Sequence, residues 1–330
     1  MARPTLRFDP YLHDPQHWGV SLAHAAELIM PCLDAVGPRS VAEIGAFAGD
    51  LTRVLVEWAG SAGAHVIAID PCPQESLTAL ADDARVLELV RKPSLEALTE
   101  IPVPDVIIVD GDHNYYTVSE ELRLIWERAP DARPPLLMFH DVCWPHGRRD
   151  DYFAAELIPE AFRRPVAGPN RGIFPGDAGV RPDGLPYPRS AVHEGGARNG
   201  VLTAVEDFLA AHEDLRLVVV PAFFGLGALW HRGATWAPDV ERVLGPWDRH
   251  PILERLEANR LQHLSERHAL AVEHWKLQDK LSRQEAVLRR LLHSSAFSVA
   301  ERLSRLRVRA GIATHEGSVG KDQIRRALES

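Results

Sequence analysis

Cysteine is scarce in this chain: Cys32, Cys72 and Cys143 stand far apart and are odd in number. Neither a disulfide framework nor a zinc-ligand spacing can be drawn from them, and a reducing, cytoplasmic setting is expected. No uninterrupted apolar segment approaches the roughly 18 residues that span a bilayer. Met1 to Pro10 carries Arg3 and Arg7 but no apolar core, so no secretory signal is expected. Positive charge is in deficit, 37 Lys and Arg against 46 Asp and Glu, for a formal charge of −9. That balance argues against a general affinity for nucleic acid. What is present is an ordinary globular composition, 45% hydrophobic and 25% charged over 330 residues. This is room for one large domain with appendages, or for two domains.

The most informative stretch runs from 40 to 70. A short apolar run ends in Glu43 and turns through Gly45 and Gly49. A helix-like segment, Leu51 to Ala59, follows, and a second apolar run closes on Asp70. Strand, glycine turn, helix, strand and acid is the order of a nucleotide-binding βαβ unit. Glycine admits a close backbone approach that side chains would block, and a helix N-terminus offers unpaired N–H groups. An acid ending the second strand can accept both hydroxyls of a ribose. The stretch therefore predicts a nucleoside-containing cofactor.

Further along, Leu22 to Val36 has helical apolar spacing with Gly37-Pro38 as a stop. Ala84 to Arg91 reads as a short third strand, followed by a helix from Leu95 to Thr99. The buried-type runs Pro104 to Asp110 and Pro135 to Asp141 flank an amphipathic helix, Val118 to Ala129. Alternating strands and helices imply an α/β fold with a doubly wound, mostly parallel sheet. Helix Val201 to Ala211, strand Leu215 to Pro221 and a final antiparallel strand, Phe223 to His231, complete it. Between them, Cys143 to Asn199 is rich in Pro, Gly and Arg and far exceeds an ordinary connection, which predicts an ordered lid. His193, Glu194, Arg198 and Asn199 in that lid are candidates to contact a hydroxylated substrate. Trp144, Tyr152 and Tyr187 can stack on a sugar or aromatic acceptor, or anchor the loop. Pro251 to His293 lacks Pro and Gly after its first residue and reads as one long helix. Its Leu277, Leu281, Leu288 and Leu291 make a short coiled-coil-like seam. The Arg-rich segment from Arg289 to Arg309 suits either a solvated helix, pairing with a copy of itself, or contact with an anionic membrane surface.

Glu43-Ile-Gly-Ala-Phe-Ala-Gly49, Asp70 and Val109-Asp-Gly-Asp-His-Asn-Tyr115 resemble the class I S-adenosylmethionine-dependent methyltransferases. They look most like the branch with Asp-Gly-Asp-His after strand four and His-Asp after strand five, similar to metal-dependent O-methyltransferases of small molecules and sugars. The resemblance covers roughly 39–231. It implies a Rossmann-like seven-stranded sheet for a domain over 39–235, with a lid at 143–199. An N-terminal segment and helix (1–38) and a helical extension (250–330) flank it. It further implies that Glu43, Gly45, Phe47 and Gly49 cradle the methionine part of S-adenosylmethionine, that Asp70 holds its ribose, and that Ser94 lies beside its adenine. Phe47 occupies a position where a middle glycine is common. That departure weakens a nicotinamide-dependent oxidoreductase reading, because a dinucleotide pyrophosphate needs the close approach.

By the same resemblance Asp110, His140 and Asp141 hold magnesium or another divalent cation. Magnesium favours hard oxygen ligands, so His140 is either a ligand to a different ion, such as manganese, or a base. His113 or His140 suits the general base, since imidazole titrates near neutral pH. Alternatively, Asp110 and Asp141 only cap turns. The expected function is methyl transfer to oxygen on a small hydroxylated acceptor. The alternatives are the oxidoreductase and a non-catalytic methyltransferase-like scaffold.

Overall fold

A computed structural model describes residues 20–130, 134–312 and 320–329. The expectation that touched residues 1–19 lies outside them. The chain opens with a 3-10 turn, Leu22–Ala25, leading into α1, Ala26–Val36. Gly37 ends α1 in the left-handed conformation, φ 59°, its N–H returning to Leu33 O. Then come β1 Ser40–Ile44, α2 Asp50–Ala62, β2 His65–Ile69, α3 Glu75–Asp83, β3 Leu87–Val90, α4 Ser94–Glu100, β4 Val106–Val109, α5 Tyr115–Arg128 and β5 Leu136–Phe139. After the insertion follow α6 Val201–Ala210, β8 Leu215–Val220, β9 Leu226–His231, α7 Ala237–Leu244 and α8 Pro251–His293. Within the insertion lies a hairpin, β6 Gly172–Phe174 with β7 Asp177–Arg181.

The seven-stranded sheet has the order β3-β2-β1-β4-β5-β9-β8, parallel from β3 to β5 and antiparallel at β5-β9 and β9-β8. Alternate residues of each central strand feed two separate cores, as a sheet covered on both faces requires. Val41, Val66, Val106, Ile108 and Met138 pack with Ile29, Leu33, Leu51 and Leu55 of α1 and α2. Ala42, Ile44, Ile107, Val109 and Phe139 pack with Leu98, Val118, Leu122 and Val205 of α4, α5 and α6. Each such buried Val, Leu, Ile, Phe or Met side chain contributes roughly 1.5–3 kcal/mol.

Three elements were not evident from periodicity: α3, α7 and the β6-β7 hairpin. α3 has one fully buried residue, Leu77, too little to register as a periodic stripe. Helix α5 begins at Tyr115, ahead of the expected Val118, because the Asn114 side chain accepts from Thr117 N at 2.9 Å and caps it.

Residues to His268 form one compact unit and Ala269 onward a second. The second holds the end of α8 with α9, Ser295–Arg309, and α10, Lys321–Glu329. There Ser294 caps α9 through Phe297 N, and Lys321 bonds Ser298 Oγ. No helix among the described residues is long and apolar enough to cross a membrane.

At Gly45, φ is 84°, and a Cβ would stand 2.1 Å from the Asp110 carbonyl oxygen. Gly45→Ala should therefore destabilise the fold by about 2 kcal/mol or more, read as a lowered urea midpoint with an unchanged m-value.

Candidate active site

The parallel register sets the site. Ile44 pairs with Val109 and Val109 with Phe139, and the ladder continues one residue further. Gly45 N bonds Ile69 O, Asp70 N bonds Val90 O, Asp110 N bonds Ile44 O and His140 N bonds Val109 O. The residues that end β1, β2, β4 and β5 therefore stand side by side at one level of the carboxyl edge, where ligands of open α/β sheets bind.

At β1 the chain turns through Gly45 and Gly49, with Phe47 between them at φ 43°. Asp70 closes this turn: Oδ2 accepts from Phe47 N at 2.8 Å and Oδ1 from Cys72 N at 2.7 Å. Each oxygen keeps a second lone pair. Glu43 lies beneath the turn and takes the Thr52 hydroxyl at 2.6 Å. Burial pushes its carboxyl up to about 8, against the partial offset of that hydroxyl and with added repulsion from Asp110, Asp50 and Asp70. Ser94 opens α4 just beyond β3, near the buried Glu121 of α5.

Asp110 and His140 are neighbours on adjacent strands. In an extended strand the next residue would face away, but Asp141 takes φ 57°, which returns its carboxylate to the same place. Asp is among the few residues that tolerate this conformation. The outcome is a cluster in which one ligand atom each from Asp110, His140 and Asp141 lies within 4.8 Å of the others. His140 Nδ1 is 3.0 Å from Asp110 Oδ1 and 3.4 Å from Asp141 Oδ2. Its Nε2 is 2.8 Å from the Phe223 carbonyl oxygen. His113 Nε2 meets the same two acids, 3.4 Å from Asp110 Oδ1 and 3.2 Å from Asp141 Oδ2.

The electrostatics follow from that crowding. Burial opposes charge on both imidazoles, yet the two carboxylates outweigh it: His113 rises to about 9 and His140 stands well above its ordinary value. Burial likewise resists ionisation of Asp110 and Asp141, but His140 and His113 hold both below the usual carboxylate range. The two rings differ in access, His113 being 25% exposed and His140 2%.

Several residues have roles that the sequence alone did not disclose. Asp112 does not face the cluster; it accepts from Phe153 N and the Thr117 hydroxyl, tying the insertion to α5. In the insertion, Asn199 is fully buried and spends its side chain on Asp150 N and the His193 and Gly195 carbonyls. Glu194 pairs with Arg149, and the Arg198 guanidinium lies over Phe162. Asn199, with no exposed surface, therefore holds the insertion together, against the expectation of a substrate contact, while Glu194 and Arg198 have partners within the insertion. Tyr152 bonds Asp150 Oδ2, and Tyr187 packs edge-on against His146, so both anchor the loop. Trp144 packs with the small core of Ile173, Leu185, Phe224 and Leu261. His146, not foreseen, stacks on His113 with centroids 5.2 Å apart. Burial depresses its pKa. A cavity of about 350 Å3 between Gly37, Asp105, His231 and Trp236 lies at the opposite edge of the sheet, away from all of these groups.

Residues 42–142 match a family model described as a methyltransferase domain. The matched segment makes up less than a third of the chain. It contains the glycine turn, Asp70, Asp110, His113, His140 and Asp141, and the sheet around it is the Rossmann-like methyltransferase fold. A comparison with curated proteins finds no match. Among solved structures, the domain is similar to that of the SAH-bound methyltransferase PaMTH1 from Podospora anserina, at 15% identity and TM-score 0.39, over 68% of this chain and 83% of that one. A Staphylococcus aureus protein described as a candidate caffeoyl-CoA O-methyltransferase gives 13% and 0.41, over 63% and 83%. DesVI of Streptomyces venezuelae gives 11% and 0.38, over 67% and 98%. Likenesses this distant inform neither substrate nor mechanism.

Glu121 gives the domain a pH signature. Burial pushes its carboxyl up to about 8, from 4.5, with the nearby Ser94 hydroxyl opposing. The folded state thus holds this proton more tightly than the unfolded chain does. Its contribution is complete below about pH 4.5 and is lost as pH rises towards 8. Glu121→Gln should match the parent protein near pH 5 and exceed it progressively up to pH 8, in unfolding free energies measured across that range.

Proposed function

We propose that the protein is an S-adenosylmethionine-dependent methyltransferase that transfers the methyl group to oxygen on a small hydroxylated acceptor, such as a sugar or secondary metabolite. The observation that carries this reading is the coincidence of the methyltransferase-domain match over 42–142 with both halves of the carboxyl-edge site. The donor half is the turn over Glu43, Gly45, Phe47 and Gly49, with Asp70 and Ser94. Asp70 is already oriented by two backbone N–H groups, so its remaining lone pairs are directed before a ribose arrives.

S-adenosylmethionine supplies a methyl group on a sulfonium that is electrophilic without further activation. The chain's own work is therefore to orient the acceptor and remove its proton. Of the two imidazoles His113 suits the proton better, its ring being part exposed. Its Nε2 is buried beside the two acids, which push its pKa up to about 9, so it serves as a base only after losing its own proton. His140 is less suited, because it is sealed from solvent and committed to the Phe223 carbonyl. Asp110, His140 and Asp141 fit a divalent cation in donor type and spacing. Such an ion would supply Lewis acidity to an acceptor hydroxyl. Phe47, Phe153 and Phe223 all have exposed side chains, and their backbones bond Asp70, Asp112 and His140.

Isothermal calorimetry with S-adenosylmethionine should show binding that Asp70→Ala weakens by about tenfold to a hundredfold; an absence of heat with the parent protein overturns the reading. His113→Asn should lower kcat by about a hundredfold or more while leaving the calorimetric affinity for S-adenosylmethionine unchanged. Unaltered turnover would remove His113 from the proton transfer.

A further inference from the structure

The His140 ring has a determinate tautomer. Its Nε2 lies 2.8 Å from a backbone carbonyl oxygen, which can only accept, so the proton sits on Nε2. In the neutral ring Nδ1 then presents a lone pair, and it presents it towards Asp110 Oδ1 and Asp141 Oδ2. Donor atoms from three side chains thus converge where a positive centre, either the ring's own proton or a metal ion in its place, can stand. A histidine whose far nitrogen is fixed by a carbonyl is the usual arrangement of an imidazole ligand. The spacing agrees. One donor atom from each of the three side chains lies within 4.8 Å of the others, close enough to share one ion. The two Nδ1-to-carboxylate distances here are 3.0 and 3.4 Å.

The chain holds that carbonyl in place at a conformational cost. Phe223 and Phe224 both take positive φ, 52° and 67°, a strain of order 1–3 kcal/mol each. At Gly225 a Cβ would stand 2.6 Å from Cys143 Sγ. Glu257 accepts from Phe224 N at 2.8 Å, and Arg260 pairs with Glu257 and lies over the Phe224 ring. A turn braced in this way serves to aim one nitrogen.

From this geometry we infer that the ion bound here is a first-row transition-metal dication of the manganese, iron or cobalt kind, in preference to magnesium, with His140 Nδ1 as its nitrogen ligand. Magnesium demands oxygen ligands and near-ideal octahedral geometry, whereas an imidazole beside two carboxylates suits the later ions. This inference rests on the metal reading of the proposed function and narrows it.

The test uses the full chain after treatment with a chelator and dialysis. It is titrated by calorimetry with manganese(II), cobalt(II) and magnesium chlorides in turn, and the manganese-loaded protein is examined by pulsed electron paramagnetic resonance. Manganese and cobalt should bind at least about tenfold more tightly than magnesium, and the manganese signal should carry a nitrogen-14 coupling. His140→Asp should abolish that coupling and narrow the preference, since its donors are all oxygen. Magnesium binding as tightly as manganese, with no nitrogen coupling in the parent protein, overturns the inference and leaves the metal reading intact. If no ion binds at millimolar concentration while circular dichroism shows a folded chain, both fail, and the positive centre is a shared proton. The parent protein's affinity ratio and nitrogen coupling decide the matter even where the His140→Asp variant does not fold.

Discussion

The close passage of Gly45 past the Asp110 carbonyl is the contact on which the rest of the site depends. β1 and β4 are in-register parallel neighbours, so the turns leaving them must pass at backbone distance, and only a residue without Cβ fits. With that passage open, Asp70 can close the glycine turn while Asp110 stands at the same level beside His140. A bulkier residue at 45 would push the two turns apart. Asp70 and the Asp110 cluster would then be displaced together.

A second constraint comes from charge. Asp110, Asp141, His113 and His140 share one small volume, and none of these groups is favourable there alone, because burial penalises the charged form of each. Together they sustain one another: the acids raise the pKa of both rings, and the rings lower that of both acids. The strained conformations at Asp141, Phe223 and Phe224 belong to the same arrangement. Left-handed residues at the ends of adjacent strands are tolerated here because the surrounding bonds over-determine them.

The insertion over 143–199 is held by a different device. Arg149 is fully buried and donates to the carbonyls of Asp177, Ala178, Gly179, Ala191 and Val192, gathering strands distant in sequence around one guanidinium. Its neighbour Asp150 accepts from Tyr115 N and Gly200 N, fastening the insertion to α5 and to the start of α6. An insertion poor in apolar periodicity is thereby ordered by buried, hydrogen-bonded polar side chains. The first part of α8 belongs to the same compact unit through Glu257, Arg260 and Leu261, although by composition it reads as continuous with the extension that follows.

The sequence by itself determined the layered α/β fold, the strand order's alternating pattern, the glycine turn with Asp70 and the acids closing strands four and five. Each of these is local: apolar runs between turn residues, and polar groups at the first position past a strand, are written in adjacent residues. It also made Asn199 and Glu194 look like substrate contacts, because a polar residue in a long loop carries no sign of what it bonds. Tertiary structure alone decided that Asn199 holds the insertion together, that Glu194 pairs within it, that Asp112 fastens it, that His146 stacks on His113 and that His140 turns its Nδ1 to the acids. Those outcomes depend on partners far away in the chain, Phe223 for His140 and Phe153 for Asp112. Such pairings arise only when parallel strands align in register and loops from both ends of the domain meet at one edge.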